Sequence, residues 1–197
     1  MTYAAIITAA GLSSRMGAFK PLLDLGGMPV VCRTVSSYAS AGVSDVTVVV
    51  GHRADEIRAA LDHWPVAIIE NPRYAESGMF ESVKLGLESL GDGYEGVFVT
   101  PVDIPLVLPQ TIRSLMEANA SIAMPRFRGR TGHPVLLRQA ALPSVFAHDG
   151  SNGLKGAFGQ SGCVQLAIEV DDAGVVLDAD TPEEFALLEE LDAMRAR

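Results

Sequence analysis

Short apolar segments alternate with amphipathic ones along the whole sequence, and this alternation limits the folds open to the chain more than any other feature. It begins with an apolar run at residues 4–7 and closes with a helix over 182–194 that Thr181 is expected to cap. Such alternation is typical of an α/β fold with a mostly parallel central sheet and right-handed crossovers. Because no polar linker interrupts it, we expect a single domain over residues 1–197.

Periodicity and turn residues predict the elements between these two ends. Strands are expected over residues 45–50, 66–70, 96–100, 122–124, 134–137 and 164–170. Helices are expected over residues 29–41, 54–61, 79–90, 109–119, 139–146 and 154–158.

The composition excludes several classes of protein. A formal net charge of -9 argues against a nucleic-acid partner, because phosphate backbones are bound by surplus Lys and Arg. No apolar run is long enough to cross a membrane, and the N-terminus lacks the layout of a signal peptide, so we expect a cytoplasmic protein. Cys32 and Cys163 belong to no metal or redox pair and are expected to be buried thiols.

A glycine-rich basic segment follows the first apolar run and is the strongest functional signal. Residues 9–21 contain Gly11 and Gly17, which permit a tight turn whose successive N–H groups face one concavity, a shape that binds anions. Arg15 and Lys20 add the cations that a polyphosphate requires. The spacing is neither that of a Walker loop nor G-x-G-x-x-G. We therefore expect a nucleoside triphosphate loop; the alternative is an ordinary turn with a surface Arg and Lys.

Three carboxylates are candidate ligands for a divalent cation, which an acidic protein needs in order to bind a triphosphate. Asp103 lies between Pro101 and Pro105 just after an apolar strand, at the sheet edge where α/β proteins bind ligands. The alternative is a turn or N-cap Asp. Asp178 and Asp180 precede the last helix, where a capping box would have the same appearance.

Two further stretches are candidates for ligand contacts. Gly78 permits close approach of the backbone, and Ser82, on the first turn of a helix, is placed to bond a nucleobase edge. His133, which follows three arginines of a turn, is a candidate donor to an acceptor phosphate or pterin; the alternative is a solvated loop with one capping His. The other histidines, His52, His63 and His148, are expected at the surface or in turns. Covalent and zinc catalysis find no support.

These stretches, in this order, resemble the molybdenum cofactor nucleotidyltransferase family, and more closely its cytidylyltransferase branch. The match extends from Ala5 to about Leu188. The motifs that carry it are Thr8-Ala9-Ala10-Gly11-Leu12-Ser13-Ser14-Arg15-Met16-Gly17 with Lys20, Asn71-Pro72-x-Tyr74, Ser82-Val83-Lys84, Asp103-x-Pro105, Gly132-His133-Pro134 and Asp178-x-Asp180-Thr181-Pro182.

The resemblance implies a Rossmann-like nucleotidyltransferase fold and transfer of a nucleoside monophosphate, CMP in this branch, to the phosphate of a molybdopterin-type cofactor. It implies a nucleotide site formed by Ala9, Ala10, Gly11, Leu12, Ser13, Arg15, Lys20, Asn71, Gly78, Ser82 and Asp103. Among these, Arg15, Lys20 and Asp103 would be catalytic. It also implies acceptor contacts at Gly132, His133 and Pro134, and Mg²⁺ held by Asp103 with Asp178 or Asp180.

Departures from the family pattern leave alternatives open. Ala10 stands where the guanylyl branch tends to carry Gly, which favours CTP, with GTP next. Residues 148–155 lack an arginine that the family commonly has, and Thr131 replaces a frequent Arg. Both changes lie on the acceptor side, so transfer to a sugar phosphate or another small phosphorylated acceptor is the second hypothesis. A third is a non-catalytic protein that delivers the cofactor to a molybdoenzyme. Transient contact with a molybdoenzyme or its chaperone is expected in addition to the small-molecule substrates.

Overall fold

The computed structural model describes residues 2–12 and 17–196, whose strands form one mixed sheet between two layers of helices. The strands are Tyr3–Ala9 (β1), Asp45–Val50 (β2), Val66–Glu70 (β3), Gly96–Pro101 (β4), Ile122–Phe127 (β5), Arg130–Thr131 (β6), Val135–Arg138 (β7) and Gln165–Glu169 (β8). The helices are Val30–Ala41 (α1), Ala54–Ala60 (α2), Met79–Ser89 (α3), Pro109–Met116 (α4), Leu142–Ala147 (α5), Gly153–Gln160 (α6) and Pro182–Arg195 (α7).

The sheet is parallel in its first half and mixed in its second. Its order is β3-β2-β1-β4-β7-β5-β6, with β8 paired to β5. The strands β3, β2, β1 and β4 are all parallel, whereas β7 joins β4 in the antiparallel sense, as do β5 to β7 and β6 to β5. The β5–β8 pair is again parallel. The predicted α/β class with a mostly parallel centre is therefore confirmed.

Residues of β1 alternate between the two faces of the sheet, and both faces are covered. Ala5 and Ile7 pack in the core formed with α1, α2, α4 and α7, whereas Ala4 and Ile6 pack in the core formed with α3, α5 and α6. All four side chains are fully buried. A strand buried on both faces has no need of polar alternation, and this explains the unbroken apolar run at the start of the sequence.

Two predicted helices end differently from the sequence pattern. The helix expected over 109–119 ends at Met116, because the Arg138 guanidinium donates to the carbonyls of Met116 and Ala118 (2.7 and 3.0 Å). The helix expected over 139–146 is divided into a 3-10 turn and α5. Pro143 has no N–H to donate to Gln139, so a continuous α-helix cannot run through this point.

The buried carboxylate of Asp172 ties the segment after β8 to two helices. One oxygen accepts hydrogen bonds from the Leu108 N–H and the Thr111 hydroxyl at the start of α4 (2.9 and 2.8 Å). The other accepts from the Gly174 N–H and, near the end of α7, the Arg195 guanidinium (3.0 and 2.6 Å). Asp172 is 1% exposed, so these four donors compensate a buried charge. Removing one of them should destabilise the fold, because the charge would then be left only partly compensated.

Across the described part of the chain, no helix combines the length and the apolar character needed to cross a bilayer.

Candidate active site

A cleft opens where β1 and β4 end side by side, at the carboxyl edge of the parallel half of the sheet. Its empty volume, which includes space open to solvent, is about 640 Å³. The lining residues are Thr8, Ala9, Ala10, Gly11, Lys20, Pro21, Tyr74, Ser77, Gly78, Met79, Ser82, Pro101, Val102 and Asp103. Residues from the three sequence stretches around Gly11, Gly78 and Asp103 thus meet at one place.

The start of the glycine-rich segment is held by the turn that follows β2. The His52 N–H donates to the Ala10 carbonyl (3.3 Å), and a Cβ on Gly51 would lie 2.9 Å from that same oxygen and 2.5 Å from the Tyr74 Cβ. Only glycine fits between these two groups. Leu12 is half exposed, whereas the predicted residues Ser13 and Arg15 lie outside the described part of the chain. No sequence motif identifies this role of Gly51, because it depends on Tyr74 and Ala10, which lie far from it in the chain.

Lys20 lies between two carboxylates that were predicted as metal ligands. Its Nζ is 3.3 Å from the Asp103 Oδ2, and it also pairs with the Asp180 Oδ1. The residue is 8% exposed because Phe19 beside it is anchored in the core, with the His52 ring edge-on at 5.5 Å and the Arg53 guanidinium 4.6 Å above it. The lysine is therefore directed inward, against the acidic groups.

The acidic groups come from two segments joined through the backbone. The Ala179 N–H donates to the Asp103 carbonyl (3.1 Å), which brings the residues before α7 against the end of β4. Capping of α7 is done by Thr181, whose hydroxyl accepts from the Glu184 N–H (3.2 Å). Of the two roles considered for Asp180, capping thus belongs to its neighbour, and the Asp180 carboxylate faces Lys20.

Asp178 lies in a region of excess negative charge. Burial raises the pKa of its carboxyl, and the charges of Glu184, Asp103 and Asp180 raise the pKa further. Within residues 2–12 and 17–196, no three His, Cys, Asp or Glu side chains are arranged to hold a metal ion. Asp103 and Asp180 nevertheless supply carboxylate oxygens, which a hard divalent cation prefers. These two carboxylates already share one positive charge, the Lys20 ammonium.

The opposite wall of the cleft is the start of α3, where Gly78 is the N-cap residue and Ser82 lies one turn in. Asn71, which the sequence placed in the nucleotide site, is 1% exposed and does not line the cleft. Its amide instead donates to the hydroxyl oxygens of Ser77 and Ser82 (2.9 and 3.1 Å). The structure therefore connects Asn71 with the cleft through two serines.

The Gly132-His133-Pro134 stretch is held by backbone contacts. A Cβ on Gly132 would lie 2.0 Å from the Val175 carbonyl oxygen, and the His133 N–H donates to that oxygen (2.9 Å). Burial lowers the pKa of the His133 imidazole, although a hydrogen bond to the Val99 backbone and the charge of Asp103 act in the opposite direction. His133 is thus a neutral donor or acceptor at pH 7, near Asp103.

Two expectations outside the candidate site are wrong. His148 is buried, not at the surface: its Nδ1 accepts from the Gly150 N–H (3.0 Å), and its ring packs edge-on against Phe80 at 5.6 Å. The glycine-rich stretch around it lets the backbone wrap the ring, which residue type alone does not reveal. Cys32 is buried as expected, but Cys163 is only half-buried.

Comparison with known proteins identifies the family. The profile of the MobA-like NTP transferase domain matches residues 5–165, more than half of the chain. The molybdenum cofactor cytidylyltransferase of Escherichia coli is 29% identical over 187 residues, which cover 94% of this chain and 94% of that protein.

Solved structures show the same fold. A nucleotidyl transferase from Methanothermobacter has a TM-score of 0.86 at 24% identity, and the alignment covers 100% of this chain and 99% of the other. A Mycobacterium tuberculosis protein solved in complex with manganese has a TM-score of 0.74 at 22% identity, covering 96% of this chain and 99% of the other.

Proposed function

Because the chain belongs to the MobA-like NTP transferase family and is a nucleotidyltransferase, we propose that it transfers CMP from CTP to the phosphate of a molybdopterin-type cofactor and releases pyrophosphate. The observation that carries the proposal is the cleft itself, where the glycine-rich segment, Lys20, Asp103 and Ser82 line one space. A protein that only delivers a cofactor has no need to neutralise a leaving pyrophosphate, so membership in the family favours the enzyme over the carrier.

The chemistry needs no strong base. An oxygen of the acceptor phosphate attacks the α-phosphorus, and the bond from that phosphorus to the bridging oxygen breaks, so that pyrophosphate leaves with the electron pair. The acceptor oxygen is already anionic at pH 7, so alignment and neutralisation of charge are enough. Lys20 supplies a buried cation for the leaving phosphates. The sequence predicts the same role, neutralising charge on the leaving phosphates, for Arg15.

We assign the metal to Asp103 with Asp180 or Asp178. Mg²⁺ bound there would neutralise the phosphate charge and orient the α-phosphate for in-line attack. The Asp103 and Asp180 carboxylates now share the Lys20 ammonium, and the raised pKa of Asp178 reflects the surplus of negative charge beside them. The manganese complex of the structural relative from M. tuberculosis supports a divalent ion in this fold.

CTP is the proposed donor for two reasons. The E. coli relative named above, matched over 94% of this chain, is a cytidylyltransferase, and Ala10, 7% exposed, lines the cleft at the position where the guanylyl branch tends to carry Gly. Exchanging Ala10 for Gly should therefore alter the ratio of CTP to GTP turnover. An unchanged ratio would leave the donor assignment resting on similarity alone.

The test is a pyrophosphate-release assay with CTP, GTP, ATP and UTP, each combined with a molybdopterin-type acceptor or a sugar phosphate, in Mg²⁺, Mn²⁺ or EDTA. We expect release only with CTP, the molybdopterin acceptor and a divalent ion. Pyrophosphate release with a sugar phosphate would show that the acceptor assignment is wrong, and a preference for GTP would show that the donor assignment is wrong. Asp103→Asn should shift the metal titration to higher concentration; an unchanged titration would remove Asp103 from the metal site.

A further inference from the structure

Asn71 is buried behind the cleft, and its hydrogen bonds determine its orientation unambiguously. Its Oδ1 accepts from the Arg73 N–H (2.9 Å), so the oxygen must face the backbone. The Nδ2 group therefore faces the two serines, and its two hydrogens are used by the oxygens of Ser77 and Ser82 (2.9 and 3.1 Å). The Asn71 N–H in turn donates to the Val50 carbonyl (2.8 Å), which fixes the residue to the end of β2.

This arrangement determines what the two serines can offer a ligand. A serine hydroxyl has one hydrogen to donate and two lone pairs to accept with. In Ser77 and Ser82 one lone pair is occupied by Asn71, and among the described residues neither hydroxyl hydrogen has an acceptor. Ser82 is 2% exposed, so a donor without a partner there is costly unless a ligand supplies the acceptor.

The two ends of the cleft differ in charge. Among its described lining residues the charged ones are Lys20, in the 3-10 turn Lys20–Leu22, and Asp103, just after β4, whereas Ser77 and Ser82 at the start of α3 are neutral. Phosphates are attracted to the charged end. The neutral end, with its hydroxyl donors, is therefore left for an uncharged polar group, such as a nucleobase.

We propose that Asn71 is a positioning residue for base selection: it orients the Ser82 hydroxyl as a donor toward the cleft, so that the site accepts a base edge that presents acceptors. This inference rests on the proposed function and concerns how the site would distinguish CTP from other nucleoside triphosphates. The N3 atom of cytosine is an acceptor, whereas the corresponding ring nitrogens, N3 of uracil and N1 of guanine, carry a hydrogen. A Ser82 donor directed at this position would therefore meet another donor in uracil or guanine, which discriminates against both.

The test reverses the polarity of the amide and leaves its shape unchanged. In Asn71→Asp one carboxylate oxygen still accepts from the Arg73 N–H, while the other accepts from the Ser82 hydroxyl. The Ser82 oxygen then presents lone pairs, and no longer a hydrogen, to the ligand. We expect the Kd for CTP with Mg²⁺ to rise about tenfold or more, whereas the Kd for tripolyphosphate, which has no base, should change less than about twofold. If Asn71 had only a structural role, the substitution would weaken the binding of CTP and of tripolyphosphate equally.

A double-mutant cycle isolates the path through Ser82. Ser82→Ala should weaken CTP binding by itself, and adding Asn71→Asp to it should weaken binding clearly less than Asn71→Asp does alone. If the Asn71→Asp effect is undiminished in the Ser82→Ala background, or if tripolyphosphate binding falls with it, the proposal is overturned.

A ligand change covers the case in which Asn71→Asp fails to fold, as its thermal unfolding would reveal. The CTP analogue with N3 replaced by C–H should bind the wild type about tenfold more weakly than CTP, and Ser82→Ala should not distinguish the two. Equal binding of both to the wild type overturns the proposal. Wild-type protein that binds CTP with no effect of either mutation contradicts this inference alone, whereas wild-type protein that binds no nucleoside triphosphate contradicts the proposed function as well.

Discussion

The proposed nucleotide end and the proposed acceptor end of this molecule both match family motifs, but the matching residues are placed differently. At the nucleotide end the side chains of Lys20, Asp103 and Ser82 line the cleft. At the acceptor end Gly132 packs directly on the Val175 carbonyl, and His133 beside it is kept neutral by burial. The difference shows that a motif match alone does not tell whether a side chain lines a cleft or a backbone is tightly packed. Four predictions test or sharpen it.

The largest effect is expected at Lys20. Lys20→Met should lower turnover about 100-fold or more, because a positioned charge on the leaving group is lost. The same variant should bind Mn²⁺ more tightly than wild type when no nucleotide is present, since Asp103 and Asp180 lose the ammonium that they now share. A turnover assay measures the first effect, and an Mn²⁺ titration without nucleotide measures the second. Lys155→Met, at an exposed lysine, is the matched control, and wild-type turnover in Lys20→Met would contradict the assignment.

Gly132 should show a large effect on stability. Gly132→Ala places a Cβ 2.0 Å from a backbone oxygen, so we expect a loss of about 3 kcal/mol or more in the free energy of unfolding, which lowers Tm by roughly 6–12 °C. Gly159→Ala, in α6 with open space around the added methyl, should leave Tm equal or higher. A Gly132→Ala protein with normal Tm but a raised acceptor KM would show that this glycine contacts the acceptor after all.

His133 should give a moderate dependence of stability on pH. Its pKa is lowered in the folded state, so below the ordinary pKa of about 6.5 the unfolded chain binds a proton that the folded chain refuses, and stability is lost as pH falls. His133→Asn should flatten the fall in Tm between pH 7 and pH 5.5, whereas His63→Asn, at a fully exposed ring, should not. Identical slopes in all three proteins would mean that folding does not lower the pKa of His133.

The smallest effect is expected at the arginine turn. Arg130 is exposed in β6, so Arg130→Ala should change the free energy of unfolding by less than about 0.5 kcal/mol. If the turn meets the acceptor, the KM for the acceptor phosphate should rise a few fold while the KM for CTP stays constant. A change in the KM for CTP instead would place this turn at the nucleotide end and break the division described above.

Much of the fold could be predicted because local pattern and tertiary role agree. The bounds of β2 and β3 match the sequence prediction, since runs of β-branched residues between turn signals have few other uses. The positions of Gly11 and Asp103 at one edge also followed from the α/β rule, because both lie just beyond buried strands. These inferences needed only neighbouring residues.

The parts that could not be predicted depend on residues far apart in the chain. Lys20 and Asp180 are 160 positions apart, and the choice between capping and charge pairing for Asp180 needed the contact itself. Asn71 was expected to touch the nucleotide, yet its burial behind two serines became visible only in three dimensions. Gly51 carries no local signal at all, since its need for a missing Cβ comes from Tyr74 and Ala10.

The antiparallel seam between β4 and β7 determines how the two halves of the sheet are connected. The β4 strand pairs with β1 on one side in the parallel sense and with β7 on the other in the antiparallel sense, so the two halves of the sheet share this strand and little else of the backbone pairing. A distortion of the second half of the sheet would therefore reach the ends of β1 and β4, which line the cleft, mainly through the β4–β7 pairing. The second half also reaches the cleft directly, because Asp180, which follows β8, pairs with Lys20.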